Sequence, residues 1–166
     1  MPFQNIVFYT EEVPEDYFLK RRDERTEFTS RRNTDFSEEL EALRNNYEVL
    51  PDYFPEPYFA VEDETGLAAV GMERLDLDAN LEYATMDGYA FEEAEAAFNE
   101  ALEVVSELHQ RPELEPHGDL IGNVFISDGS PVFIDPMGIP ESKEEEQEWV
   151  MDDWWQMDWI HDGIKK

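Results

Sequence analysis

Three polar side chains, two aspartates and one asparagine, are spaced around a short apolar hairpin in the second half of the chain. Asp119 lies in the loop before the hairpin, Asn123 directly precedes its first apolar run, and Asp135 directly follows its second. The Asp128-Gly129 pair between the two runs is a strong signal for a tight hairpin turn. Such a hairpin would bring Asn123 and Asp135 to one end, beside the loop that carries Asp119. Three oxygen-bearing side chains grouped in this way suit Mg²⁺ and a phosphate.

The segment His117-Gly118-Asp119-Leu120, with Asn123 after it and Ile134-Asp135 after the hairpin, resembles the catalytic loop and metal-binding Asp of the protein-kinase-like superfamily. The resemblance is to the aminoglycoside phosphotransferase, choline kinase and RIO branch, and to short phage-type kinase-like proteins. It implies ATP and Mg²⁺ as cofactors. Asp119 would be catalytic and His117 would brace the catalytic loop, residues 117–123, while Asn123 and Asp135 would bind the metal. Three residues separate Asp119 from Asn123, where the family usually has four.

The first half of the chain continues this resemblance. Strand candidates at residues 5–9 and 17–20 are followed by an amphipathic helix, with Asp35 as its N-cap, and by strands at 58–61 and 67–72. By the resemblance, Lys20 would contact the ATP phosphates. Glu39 would be its ion-pair partner, with Asn46 as the alternative. The hinge that grips the adenine would be residues 72–75, which adds Glu73 to the cofactor-binding residues.

The order of elements therefore predicts an α+β fold of two lobes. Residues 1–75 would form a small strand-rich N-lobe, and residues 76–166 a truncated helical C-lobe entered by a helix over residues 91–109. No glycine precedes Gly66, so a glycine-rich phosphate-covering loop is missing; basic residues at 20–32 could partly substitute for it or could simply form a solvated loop.

All four tryptophans lie in residues 149–159, which predicts either packing under the catalytic loop or an interface for a partner or for self-association.

Composition restricts the classes of partner. The chain has 42 acidic against 12 basic residues, a net charge of −30, yet its 41% of hydrophobic residues indicates a folded protein. The charge is typical of a cytoplasmic protein in a salt-in halophile, or in a cell infected by a halophile virus; an acidic mimic of nucleic acid is the alternative. Phosphate repulsion disfavours direct nucleic-acid binding, and the sequence has neither a membrane-spanning apolar run nor a cysteine.

Three functions remain open at this point. The first is an active phosphotransferase whose acceptor, a small molecule or a protein, is not identified. The second is a catalytically weak or inactive pseudokinase-like module that acts through protein contacts, which the missing glycine-rich loop and the short C-lobe favour. A metal site formed by His117 and Asp119 with His109 or His161 is a third, which rests only on the weak motif His-x-Asp.

The net charge leads to a prediction on stability. Self-repulsion among −30 charges is long-ranged at low ionic strength and is screened within about 3 Å at 1 M salt. We expect the midpoint of thermal unfolding to rise steeply from dilute buffer to molar KCl. Circular dichroism melts over a KCl series would measure this, and a flat response would contradict the halophile interpretation.

Overall fold

A computed structural model describes residues 4–22 and 36–166. The predicted cap Asp35 and the arginines at positions 25, 31 and 32 lie outside these residues. The architecture is a small α+β fold with three helices and two antiparallel sheets in the described ranges, which confirms the predicted class. The strands are β1 (Asn5–Phe8), β2 (Tyr17–Arg21), β3 (Pro57–Asp63), β4 (Gly66–Glu73), β5 (Ala79–Asn80), β6 (Val124–Ser127) and β7 (Ser130–Phe133). The helices are α1 (Phe36–Val49), α2 (Phe91–Gln110) and α3 (Lys143–Ile164).

The first sheet has the order β1-β3-β4-β2, with every neighbouring pair antiparallel. Its small core joins Phe36 and Leu40 of α1 to Ala60 and Val70 of the central strands. Val70 is paired with Lys20 of β2. Because residues directly opposite in a ladder project to the same face, Lys20 projects to the face that α1 covers.

The strand order determines how β1 and β2 are connected. Strands β1 and β2 are consecutive in the chain but lie at opposite edges of the sheet. The connection between them therefore crosses the sheet and does not form a hairpin over β2. The order of strands and helix along the chain agrees with the sequence prediction, whereas this placement of β1 could not be read from it.

The main core belongs to both halves of the chain. The helix α2 buries one apolar stripe, including Phe98 and Leu108, against β6, β7 and α3. Leu43 of α1 and Phe54 join the same cluster. The amide of Phe133, at the end of β7, donates to the carbonyl of Tyr53 at 2.8 Å. The first sheet and the hairpin β6–β7 are thus held against each other.

The helix α3 has a buried and an exposed face. Trp149 is 3% exposed and Met157 is 1% exposed, so both pack inside, as the packing interpretation predicted. Trp154, Trp155 and Trp159 are exposed, which divides the tryptophan cluster between the two roles considered for it. None of the helices in residues 4–22 and 36–166 is long and apolar enough to cross a membrane.

Candidate active site

The hairpin β6–β7 brings two of the candidate residues to one end. Asp128 and Gly129 both have positive φ, 50° and 80°, as a type I′ turn requires. Beyond the strand ladder, the amide of Ile134 donates to the carbonyl of Asn123 at 3.0 Å. Asn123 and Asp135 are consequently neighbours at the end of the hairpin opposite the turn.

Asp135 is held in a strained conformation and is paired with Lys20. Its φ is 49°, in the left-handed region that a residue other than glycine seldom adopts, and Pro136 follows it. Its Oδ1 lies 2.9 Å from Lys20 Nζ. The Asp135 side chain is 46% exposed and the Lys20 side chain is 18% exposed. Lys20 Nζ also lies 5.9 Å from the centre of the Phe36 ring. Backbone outliers of this kind persist only where the surrounding structure offsets their strain, and they are found most often at functional sites.

His117 connects the loop to the strand that leads to Asp135. The side chain is fully buried, and its Nδ1 accepts the amide proton of Asp119 at 3.2 Å. The ring proton is therefore on Nε2, which donates to the carbonyl of Ile134 at 2.7 Å. With both ring nitrogens engaged, His117 braces the loop and is not placed to accept a substrate proton.

Asn123 is connected directly to Asp119. Its Nδ2 donates to the Asp119 carbonyl at 2.8 Å and lies 3.4 Å from Asp119 Oδ2. The shortened spacing is accommodated by a turn in which Gly122 has a φ of 81°. Asp119, Asn123 and Asp135 therefore meet at one end of the hairpin, as the sequence predicted.

Two residues of α3 that the sequence analysis did not identify accept hydrogen bonds from the backbone of the loop. Asp153 is fully buried; its Oδ2 accepts from the His117 amide at 2.9 Å and its Oδ1 from the Gly118 amide at 2.8 Å. Gln156 Oε1 accepts from the amides of residues 120 and 121. His109 Nε2 lies 2.8 Å from Asp153 Oδ2 and completes the cluster. The only sequence signal was a pair of polar residues three apart on the buried side of an aromatic-rich helix.

A cleft opens beside the Lys20–Asp135 pair. Its outer part is a cavity of about 290 Å³, close to the lower limit for small-molecule sites, lined by Phe18, Pro55, residues 72–75, Leu77, Ile134 and Asp135. Its inner part is a narrow apolar crevice that contains Lys20 and Glu39. Residues 72–75, Lys20 and Asp135 thus line two adjoining cavities, which share Asp135, whereas Asn123 lines neither of them.

Two of the predicted cofactor-binding side chains have other roles than expected. The ion-pair partner of Lys20 is Asp135 and not Glu39, because Asp135 approaches the lysine from the hairpin; Glu39 lines the crevice nearby and is 5% exposed. Its alternative, Asn46, is buried on α1. Glu73 Oε1 accepts from the amide of Glu56 at 3.1 Å, so its carboxylate stabilises the edge of the cavity.

Acidic residues surround the approach to the loop. Burial raises the pKa of Glu115, two residues before His117, and the charges of Glu146 and Glu41 raise it further. Because folding raises this pKa, the charged form of Glu115 is less favourable in the folded state than in the unfolded chain. The negative potential on this side of the loop disfavours the approach of an anion that lacks a cation.

The described ranges contain no group of three or more His, Asp or Glu side chains able to hold a metal by themselves. His109 contacts Asp153, and His161 stacks on Phe98, so neither joins His117 and Asp119. Asn123 and Asp135 offer amide and carboxylate oxygens, which fit Mg²⁺ when substrate phosphates and water complete its coordination.

No family model, no curated protein and no solved structure matches this chain.

The loop contacts lead to a prediction for Asp153→Asn. The substitution would point an amide NH₂ at one of the backbone N–H groups that the carboxylate now accepts, and an unsatisfied buried group costs about 1–3 kcal/mol. Urea unfolding should show a loss of this size. The control is Asp158→Asn, an exposed change of the same charge on the same helix, which should stay within about 0.5 kcal/mol of the wild type. Equal stability of both variants would contradict the role given to Asp153.

Proposed function

We propose that this chain is an ATP- and Mg²⁺-dependent phosphotransferase. The observation that carries the proposal is the contact between Lys20 and Asp135, which are 115 residues apart in sequence and meet at the wall of a cavity lined by residues 72–75. A cation and a carboxylate at the inner end of a mostly apolar cavity match the two ends of a nucleotide. The base is flat and apolar, and the phosphates are anionic and bind metal.

The outer cavity suits a purine base. Phe18, Met72 and Leu77 supply apolar surface on its walls. The ladder between β2 and β4 ends at the Tyr17–Glu73 pair, so the backbone of Arg74 and Leu75 lies beyond it. Polar groups of that backbone can hydrogen bond to the edge of a base, while the apolar walls exclude water from it.

The inner end suits the phosphates. Lys20 offers a compact positive charge whose ammonium has three donors. In the nucleotide complex, Lys20 would exchange its bond to Asp135 for one to a phosphate oxygen, and Asp135 and Asn123 would face the metal. Bound Mg²⁺ would neutralise charge that develops on the phosphates during transfer. The left-handed backbone of Asp135 keeps its carboxylate directed towards this end of the hairpin.

In this proposal, Asp119 would act on the acceptor. Its carboxylate lies at the rim of the loop beside Asn123, while its backbone is tied to His117. It would accept or orient the proton of the acceptor hydroxyl as the new P–O bond forms and the bond to ADP breaks. Phosphoryl transfer needs positioning above all, and the bonds from His117, Asp153 and Gln156 limit the movement of this loop.

A second candidate function is a kinase-like module that binds partners and transfers phosphate slowly or not at all. Two observations favour it. Strand β1 lies at the far edge of the sheet, so the connection from β1 to β2 does not cover the phosphate end of the cleft. The helix α3 begins at Lys143, soon after Asp135, which leaves a short segment for binding an acceptor.

Nucleotide binding separates the two functions, and the hairpin itself supplies a matched pair of variants. Asp135 and Asp128 are both aspartates with φ near 50°, at opposite ends of the same hairpin, and asparagine tolerates this conformation. Asp135→Asn should weaken Mg²⁺-ATP binding by about tenfold or more, because a charged metal ligand is lost. Asp128→Asn should leave it unchanged. Isothermal titration calorimetry in molar KCl, with and without Mg²⁺, measures both; wild-type protein that binds no Mg²⁺-ATP at any salt concentration would leave only the binding module.

Turnover tests Asp119 separately. Asp119→Asn retains the size of the side chain and should leave the Kd for Mg²⁺-ATP nearly unchanged. The rate of ADP release should fall by about 10²–10⁴, as expected for loss of a general base. Both values come from one protein preparation, with ATP binding by calorimetry and ADP by a coupled assay. A variant that turns over at the wild-type rate would remove Asp119 from the mechanism.

A further inference from the structure

One face of α3 carries a row of large apolar side chains in solvent. Met151, Trp155 and Trp159 follow one another at steps of four and are 72%, 60% and 50% exposed. The rings of Trp155 and Trp159 lie 6.0 Å apart. Contiguous exposed surface of this kind is unusual for a monomeric protein and marks an interaction site. We refer to these three residues as the tryptophan row.

An acidic residue accompanies each member of the row. Glu148, Asp158 and Asp162 are exposed and lie three positions from Met151, Trp155 and Trp159 respectively. Residues three apart are neighbours on a helix surface, so each apolar side chain has a carboxylate beside it. The row therefore combines apolar surface, aromatic faces and negative charge along about two turns of helix.

We propose that the tryptophan row is a docking surface for a basic amphipathic polypeptide segment, rich in arginine and leucine. Tryptophan has the best aromatic face for a guanidinium, and an adjacent carboxylate can bind the same group. Leucine side chains of the segment would cover Met151 and the edges of the rings. A second copy of this chain fits poorly, because each copy brings a net charge of −30 and the same acidic residues.

The row is organised before any partner binds. Trp159 Nε1 donates to Glu82 Oε1 at 2.6 Å, which orients the ring against the turn at residues 81–83. On the opposite face of α3, Asp153 and Gln156 accept hydrogen bonds from the loop, and Ile160 is buried. A partner would thus meet a Trp159 ring that is already oriented, which lowers the entropic cost of association. The row would bind such a segment whether or not the chain transfers phosphate.

The test is binding of a synthetic helical peptide of about 20 residues, built from arginine and leucine on opposite faces. Affinity is measured by fluorescence anisotropy of the labelled peptide at about 0.1 M and about 1 M KCl. Trp155→Ala should weaken binding about tenfold or more, as loss of a central aromatic anchor does. Phe8→Ala is the control, an aromatic residue 62% exposed on the first sheet, and should bind as the wild type does.

A second pair of variants separates the row from general attraction to an acidic protein. The double change Asp158→Asn and Asp162→Asn should weaken binding more than Glu11→Gln with Glu12→Gln, which alters net charge equally at an exposed loop. Equal affinity of Trp155→Ala and wild type, or equal effects of the two charge pairs, would overturn the proposal. Sedimentation of the protein alone gives a further check: a dimer that Trp155→Ala dissociates would assign the row to a second copy instead.

Discussion

Satisfaction of four backbone N–H groups is the constraint on which the candidate site depends. The loop at residues 117–121 runs through the interior without forming regular secondary structure, and buried amides that lack acceptors would each cost free energy. Asp153 and Gln156 supply the acceptors from one face of α3. These bonds fix the backbone on both sides of Asp119, whose own amide donates to His117. The position of α3 thus determines the geometry of a loop more than 30 residues before it in the chain.

The same principle explains the two histidines in this region. His117 uses one nitrogen to hold Asp119 and the other to hold Ile134, so the loop and the hairpin move as one body. His109 approaches Asp153 from α2 and contacts the edge of the Trp154 ring. A buried carboxylate requires partners for its lone pairs, and here two amides of the loop and the imidazole of His109 provide them. Asp153 has all three partners only when α2, α3 and the loop are in place.

Local signals predicted much of this site, and contacts distant in sequence account for what they missed. The Asp128-Gly129 turn and its apolar flanks were sufficient to bring Asn123 and Asp135 together, because a two-residue turn determines the register. Asp153 and Gln156 lie on the same side of α3 as Trp149 and Ile160, but nothing local indicates which backbone groups they bind. The resemblance implied Glu39 of α1 as the partner of Lys20, whereas Asp135 reaches the lysine from the hairpin. The placement of β1 at the far edge depends on a crossing connection that carries no periodic signal.

The net charge gives the Lys20–Asp135 pair a particular significance. In a chain with 42 acidic and 12 basic residues, the Lys20 ammonium is held by one particular carboxylate, that of Asp135, at 2.9 Å. The pair neutralises both groups, and the Phe36 ring lies 5.9 Å from the ammonium. An anionic ligand entering the cleft must displace Asp135 from Lys20, and the released carboxylate then attracts a cation. Anion and cation are therefore expected to bind together, because either alone would leave one member of the pair without a counter-charge.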